Sequence, residues 1–373
     1  MNFISPLKKT KLNQVHKQLG AKMAEFAGWE MPIEYSGIIQ EHLAVRNSAG
    51  LFDISHMGEI TIRGPESLEL LQDVTCNDVS RLKDGQVQYS ALLFANGTFV
   101  DDILVHQLSS GYYFICVNAS NTDKDFKWIC EHNHFDAEVK DVSDQYTQLA
   151  IQGPHACKIL QTIVNIDLTS VKYYWCQRGK VDGVESLISR TGYTGEDGFE
   201  IYFPPEFSAQ IWTHLLERGA GEDLLPAGLG ARNTLRLEAK MALYGHEISE
   251  EITPWEADLA WIVKLEKGDF IGRTTLVQQQ QHGINKKLVG FEMEGKGIAR
   301  EGHAVFIDGQ PVGRVTSGGP APYLRKNLGL AYVPITHALV GTSLEIQIRA
   351  NLVRARIVET PFYKRKKSRR TVS

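Results

Sequence analysis

Two apolar, strand-like patterns between residues 87 and 105 meet at Asn96-Gly97, and that junction constrains the fold more than any other stretch of the chain. Asn-Gly readily takes the positive φ angles that a two-residue β-hairpin turn demands. With such a turn Ala95 faces Thr98, Ala91 faces Asp102 and Tyr89 faces Leu104, so Tyr89 and Asp102 are diagonal neighbours on one face of the ribbon. Asp101 then points to the other face, and the adjacent aspartates cannot converge on one atom as a shared-proton dyad. Aspartate is depleted within strands, and desolvating its charge without partners costs roughly several kcal/mol. The ordinary reading is that both aspartates sit at a sheet edge or cap neighbouring backbone. Asp102 fits it less well, because the ring of Tyr89 beside it can stack on a flat ligand.

At 373 residues the chain exceeds one hydrophobic core of ordinary size, and two or three packed units are expected. An alternating strand, a Gly-Pro break and a helical period occur twice. The first copy runs through residues 59–63, Gly64-Pro65, Leu68 and Leu71; the second through residues 148–152, Gly153-Pro154, Ile159, Leu160 and Ile163. Proline is tolerated in a helix's first turn, where no N–H donor is needed, so Gly-Pro marks a strand end and a helix start. Two related α+β subdomains follow, with coincidence as the competing reading of so short a match. Ile211, Trp212, Leu215 and Leu216 recur at helical spacing and Gly219 follows as a stop, describing a surface helix with one buried face. The glutamine run at 278–281 has no apolar period, and a domain boundary is expected near it. Beyond it, residues 288–293, 303–307, 312–316, 328–333, 344–348 and 353–358 read as short strands, with an Asp308-Gly309 turn, and suggest a small antiparallel barrel or sandwich.

Acidic residues (44) slightly outnumber basic ones (40), so no broad nucleic-acid-binding charge is present, while a small anionic or zwitterionic partner stays open. Cys76, Cys116, Cys130, Cys157 and Cys176 are odd in number, scattered and never in a Cys-x-x-Cys pair, which argues against a disulfide framework or a zinc site and for a reducing compartment. The first twelve residues lack a signal-peptide or transit-peptide pattern, and no segment approaches ~20 consecutive apolar residues. A cytoplasmic protein with no membrane partner is the expectation. Lys364, Arg365, Lys366, Lys367, Arg369 and Arg370 form a basic run; most such tails are simply solvated, but one could dock an acidic partner.

Several motif-like strings are set aside. Residues 226–233 (PAGLGARN) superficially resemble a dinucleotide fingerprint but lack the third glycine and a strand–helix–strand unit. Residues 290–296 have phosphate-loop spacing, yet Gly297 stands where Ser or Thr must ligate magnesium, and Glu292 and Glu294 would repel phosphate. His132 and His134 could share a strand face, but with no carboxylate or Cys in metal spacing they read as surface histidines. No Gly-x-Ser-x-Gly elbow occurs. The glycine-rich connection at 190–200 (RTGYTGEDGFE), between strands at Leu187 and Ile201, permits close backbone approach to a ligand, or an ordinary turn.

Read in order, FAGWEMP at 26–32, GLFDISHM at 50–57, Asp101-Asp102, residues 190–200, GLGAR at 228–232 and LYG at 243–245 resemble the aminomethyltransferase (T-protein) family of the glycine cleavage system along nearly the whole chain. The resemblance implies an α+β, three-part cloverleaf around a central channel: residues 1–280 as two interleaved α+β subdomains, 285–364 as an antiparallel β-barrel and 365–373 as a basic tail. It further implies transfer of the methylene of an aminomethyl group, carried on the lipoyl arm of the H-protein, to tetrahydrofolate as cosubstrate, with release of ammonia and no metal. Asp102 is then the catalytic carboxylate beside the folate nitrogens, stabilising developing positive charge and assisting removal of the nucleophile's proton. Glu200 matches a residue expected to accept from the pterin's N–H edge. Met57, Tyr89, Asn118, Tyr193 and Trp261 match the channel lining, and Arg232 matches a folate-contacting arginine. Each has a plainer reading: Met57 and Trp261 as core, Arg232 as a brace for its turn.

Two departures from the family pattern are visible. Asn233 replaces an expected Asp, which puts pairing with Arg232 in doubt. SGGPAPY at 317–323 replaces a Ser-Pro-Thr-Leu type run, with consequences expected in a C-terminal loop and in partner docking. Rival readings are a non-enzymatic folate-binding relative that assists iron–sulfur cluster assembly, the folate-binding part of an amine-oxidising flavin dehydrogenase, and a carrier-binding module without turnover. The first requires a KGCYxGQE signature where this chain has KMALYGHE at 240–247; the second requires an N-terminal dinucleotide fingerprint that is missing.

Overall fold

The Gly-Pro repeat becomes a repeated architecture in the computed structural model, which describes residues 6–365. Strand Gly58–Arg63 leads into helix Ser67–Val74 and then a three-strand meander, Val87–Leu93, Phe99–Ser109 and Tyr112–Val117. The last of these returns antiparallel beside the first strand. Strand Thr147–Gln152, helix Ala156–Gln161 and the meander Cys176–Val181, Val184–Ser189 and Gly198–Phe203 repeat the plan, again with the last strand beside the first. Gly64 (φ 151°) and Gly153 (φ 133°) make the two equivalent corners. A Cβ at either would run into a backbone carbonyl, of Asp136 and of Ser48, so only glycine lets the strand leave its sheet there. Each proline stands two residues before its helix, at the corner.

The first sheet has five strands and the second six, the latter completed by Ala49–Asp53 and Leu224–Pro226. Each has its own apolar core, with Ile60, Leu70, Leu71, Val105 and Ile115 in one and Leu149, Ile151, Ile201, Phe203 and Trp212 in the other. Helix Ser208–Gly219 covers the second sheet and buries Ile211, Trp212 and Leu215 as its spacing requires. The six C-terminal strands close into an antiparallel barrel rather than a sandwich, in the order Lys286–Met293, Lys326–Pro334, Gln310–Ala321, Ala304–Ile307, Ser343–Ile348, Asn351–Val358. The protein is therefore α+β with a C-terminal barrel.

Two local expectations are corrected. The hairpin does not use a two-residue turn. Phe94 N–H donates to Thr98 O (2.9 Å) and Gly97 N–H to Phe94 O (2.8 Å), so Ala95, Asn96 and Gly97 form a three-residue loop with Gly97 at φ 77°. Phe94, not Ala95, faces Thr98. That one-residue offset alone would turn Asp102 to the face away from Tyr89, but a bulge at Leu92/Leu93 restores the register to Ala91↔Asp102 and Tyr89↔Leu104. The second correction concerns residues outside sheets. The glutamine run lies inside helix Arg273–His282, whose buried residue is Leu276, and His132 follows helix Thr122–Glu131 with its ring on Trp128 (3.9 Å), so neither His132 nor His134 is in a strand.

Polar clamps join the parts. Arg46, buried, meets Glu196 and Glu238 at 3.0 Å each. Arg236 reaches from helix Leu229–Glu238 to Glu247 (2.6 Å) and to Ser317 of the barrel (2.7 Å). The 317–323 departure thus lies in a barrel strand and an adjoining turn that bond to this helix, where Tyr323 N–H also donates to Glu238 (3.2 Å). Asn233 accepts from Arg236 Nε (2.8 Å) rather than partnering Arg232. Residues 366–373, most of the basic run, lie outside the described residues.

Candidate active site

Where the two sheets, helix Leu229–Glu238 and the barrel converge, they enclose a cavity of about 610 Å³, a size suited to a small organic ligand. Met57, Tyr89, Asp102, Asn118, Tyr193, Glu200, Arg232 and Trp261 all line it. Chain segments far apart in sequence thus bring together every residue expected at the site.

Asp102 faces the cavity from the restored register of its hairpin. Tyr89 O–H donates to Oδ2 (2.8 Å) and Asn118 Nδ2 to Oδ1 (2.7 Å). Asn118 sits just beyond the neighbouring strand Tyr112–Val117, and its amide also donates to Asp101 (2.9 Å), tying the two aspartates together from opposite faces. Burial, and then the like charge of Asp101, push the Asp102 carboxyl up to about 7, against the pull of Tyr89 and Asn118. A carboxylate so placed can both take and return a proton near neutrality.

Aromatic rings surround it. Trp261 stacks on Tyr89 (5.7 Å, 28°) and is 58% exposed, so it stands at the mouth and is not core. The Arg232 guanidinium lies over Tyr193 (4.5 Å), while Tyr193 O–H donates to the Ala242 carbonyl. Arg232 thus lines the cavity and packs on the ring of Tyr193. The loop carrying Tyr193 is held by a two-point pairing of Arg190 with Asp197 (3.0 and 2.6 Å). Glu200 lies deep on strand Gly198–Phe203 and accepts from Thr191; burial raises its pKa, opposed by Thr191 and Arg232.

Sequence reasoning missed His56, Tyr174 and Asp125. His56 lines the cavity, 3% exposed, with Nδ1 unpartnered; burial and Arg232 push it down to about 3, so it is a neutral imidazole at working pH. It falls inside the string GLFDISHM, which was the available signal. Tyr174 adds another phenol to the lining. Asp125 stands behind Asp101, and no local pattern marks it.

The cavity's chemistry fits a flat, polyfunctional ligand with hydrogen-bond donors at one edge: stacked rings, buried carboxylates that only accept when ionised, and one guanidinium. Residues 12–267 match the family "GCVT N-terminal domain" and residues 286–364 the family "Glycine cleavage T-protein C-terminal barrel domain". The aminomethyltransferase of Acidobacterium capsulatum is 53% identical over 367 residues, covering 97% of each chain. That of Desulfitobacterium hafniense strain DCB-2 is 49% identical over 363 residues, covering 97% of this chain and 100% of the relative. The crystal structure of glycine cleavage system aminomethyltransferase T from Bartonella henselae superposes with a TM-score of 0.91 at 33% identity, over 96% of this chain and 98% of that one. With six motifs in order, two matching domains, full-length relatives and a shared fold, the chain belongs to the aminomethyltransferase (T-protein) family of the glycine cleavage system.

Proposed function

We propose that the cavity binds tetrahydrofolate and that the chain transfers to it the methylene of an aminomethyl group presented on the lipoyl arm of the H-protein, in the cytoplasm, releasing ammonia. Bound tetrahydrofolate would supply two amine nitrogens: each gives up one proton and forms one bond to the methylene carbon, as that carbon's bonds to the amino nitrogen and to sulfur break with their electron pairs. One proton ends on ammonia and the other on the dihydrolipoyl thiol.

The observation that carries this reading is Asp102, held by Tyr89 and Asn118 at the wall of the cavity. Its charge stabilises positive charge developing at the carbon, and its basicity lets it accept the amine proton. Much of the rate would come from positioning, because the acceptor is already a competent amine. Tyr89 and Trp261 offer a stacked platform, Tyr193 and Arg232 a second one, and Glu200 an acceptor for a ring N–H. Neutral His56 and Tyr174 add uncharged polar groups to the lining.

In an assay with tetrahydrofolate and aminomethylated carrier, following ammonia, Asp102→Asn should lose roughly 10²–10⁴ in kcat while tetrahydrofolate binding, measured separately, changes little. Turnover equal to the parent would refute the assignment.

A further inference from the structure

Three carboxyls stand in file at the cavity wall, and the proposed chemistry uses only the front one. Asp102 faces the cavity. Asp101, next on the strand, faces away and accepts from Asn118 N–H (3.0 Å), Asn118 Nδ2 (2.9 Å) and Asn121 Nδ2 (2.7 Å). Behind it, Asp125 projects from helix Thr122–Glu131 to within hydrogen-bonding reach of Asp101. Asp125 is fully buried, and neither of its oxygens meets a donor from another group. Among the described residues no such cluster is arranged to hold a metal ion. Lys124 is the cation beside them, and its Nζ is turned to the Tyr244 hydroxyl (2.7 Å) and Glu250 (3.5 Å). The other titratable groups near Asp102 are phenols, Tyr89, Tyr174, Tyr193 and Tyr244.

An ionised carboxylate with no donor, pressed against a second carboxylate, is not a stable arrangement in a protein interior. As a neutral acid, Asp125 instead donates its own O–H to Asp101. Burial and Asp101 indeed push the Asp125 carboxyl up to about 11. One proton shared by the two leaves a single negative charge directly behind Asp102.

We infer that this proton-sharing pair serves the transfer reaction: Asp125 is a positioning residue that keeps Asp101 ionised, and the charge on Asp101 makes Asp102 a proton acceptor of useful strength. The inference rests on the assignment of Asp102 above. A carboxylate of ordinary acidity accepts an amine proton poorly at neutral pH, and a like charge fixed nearby favours uptake. In the step served, the amine N–H proton passes to Asp102 as the C–N bond forms and is returned to the departing amino nitrogen. The proton between Asp101 and Asp125 stays in place.

Carboxyl ¹³C NMR titration of Asp102 in the full chain tests this, with the pH profile of kcat alongside. Asp101→Asn removes the charge, and the Asp102 midpoint should fall by roughly one to three units. Asp125→Leu has similar bulk and no O–H, so Asp101 takes the proton itself and the midpoint falls in the same direction. Asp125→Asn keeps a donor to Asp101 and should restore the parent midpoint to within about half a unit. An unchanged midpoint in Asp101→Asn, or in folded Asp125→Leu, overturns the inference. Turnover surviving in Asp102→Asn would instead overturn the reading of Asp102 without touching these midpoints, so the two failures are separable.

Discussion

A carboxylate that accepts from a phenol and an amide ordinarily stays ionised well into acid. Asp102 does not, because burial and the charge of Asp101 outweigh both bonds and bring it up to about 7. The sign of the pH dependence follows. In the proposed reaction the ionised form accepts the proton, so kcat should rise through an acid limb near that value and level off above it. Tyr89→Phe keeps the ring but deletes a donor to the charged form. A hydrogen bond to a charged group contributes ~1.5–3 kcal/mol, so the limb should move upward by roughly one to two units; kcat measured against pH at saturating substrate checks it, and a downward shift would contradict it. The Tyr89–Asp102 pairing was legible in the sequence because strand side chains alternate and a turn sets the register. Asn118 and Asp125 were not derivable from pattern alone. They reach the aspartates only because strand Tyr112–Val117 lies beside Phe99–Ser109 and the following helix packs behind both, a tertiary fact with no local signature.

At the scale of elements, the hairpin shows how an incorrect turn can give the correct register. Asn96-Gly97 signalled reversal, but the loop takes three residues and a bulge cancels the offset. Bulges carry no dependable sequence mark, whereas the hydrophobic face they restore does. Gly97 sits at φ 77°, where an added methyl would stand only 3.3 Å from Leu276, and it pins that loop against helix Arg273–His282. Gly97→Ala should therefore destabilise by roughly 1–2 kcal/mol, read from the denaturation midpoint, and a neutral result would mean that the loop relaxes without disturbing the register. The barrel strands were legible because each is a short apolar run between turn residues. The helical glutamine run was not, since its packing rests on a single leucine, Leu276.

Across the whole molecule, the repeated Gly-Pro corners announced two similar units, and the strand-rich end announced the third. Their meeting was not announced, because buried clamps such as Arg236–Glu247 join residues whose partners no periodicity predicts. Both side chains are almost fully buried (2% and 0% exposed). Arg236→Leu leaves Glu247 uncompensated and should cost about 3–5 kcal/mol, while adding Glu247→Leu should recover much of it. Urea unfolding of the two variants compares them, and equal losses would show that the pair is not coupled. The same pair bonds to Ser317 and Thr316 of the barrel, and Glu247 lines the cavity. The decisive measurement is a crystal structure with tetrahydrofolate bound: the pterin should lie among Tyr89, Tyr193 and Trp261, with an Asp102 oxygen within about 3.2 Å of a folate amine nitrogen. Folate bound outside this cavity, or bound with Asp102 turned away from both nitrogens, would contradict the account.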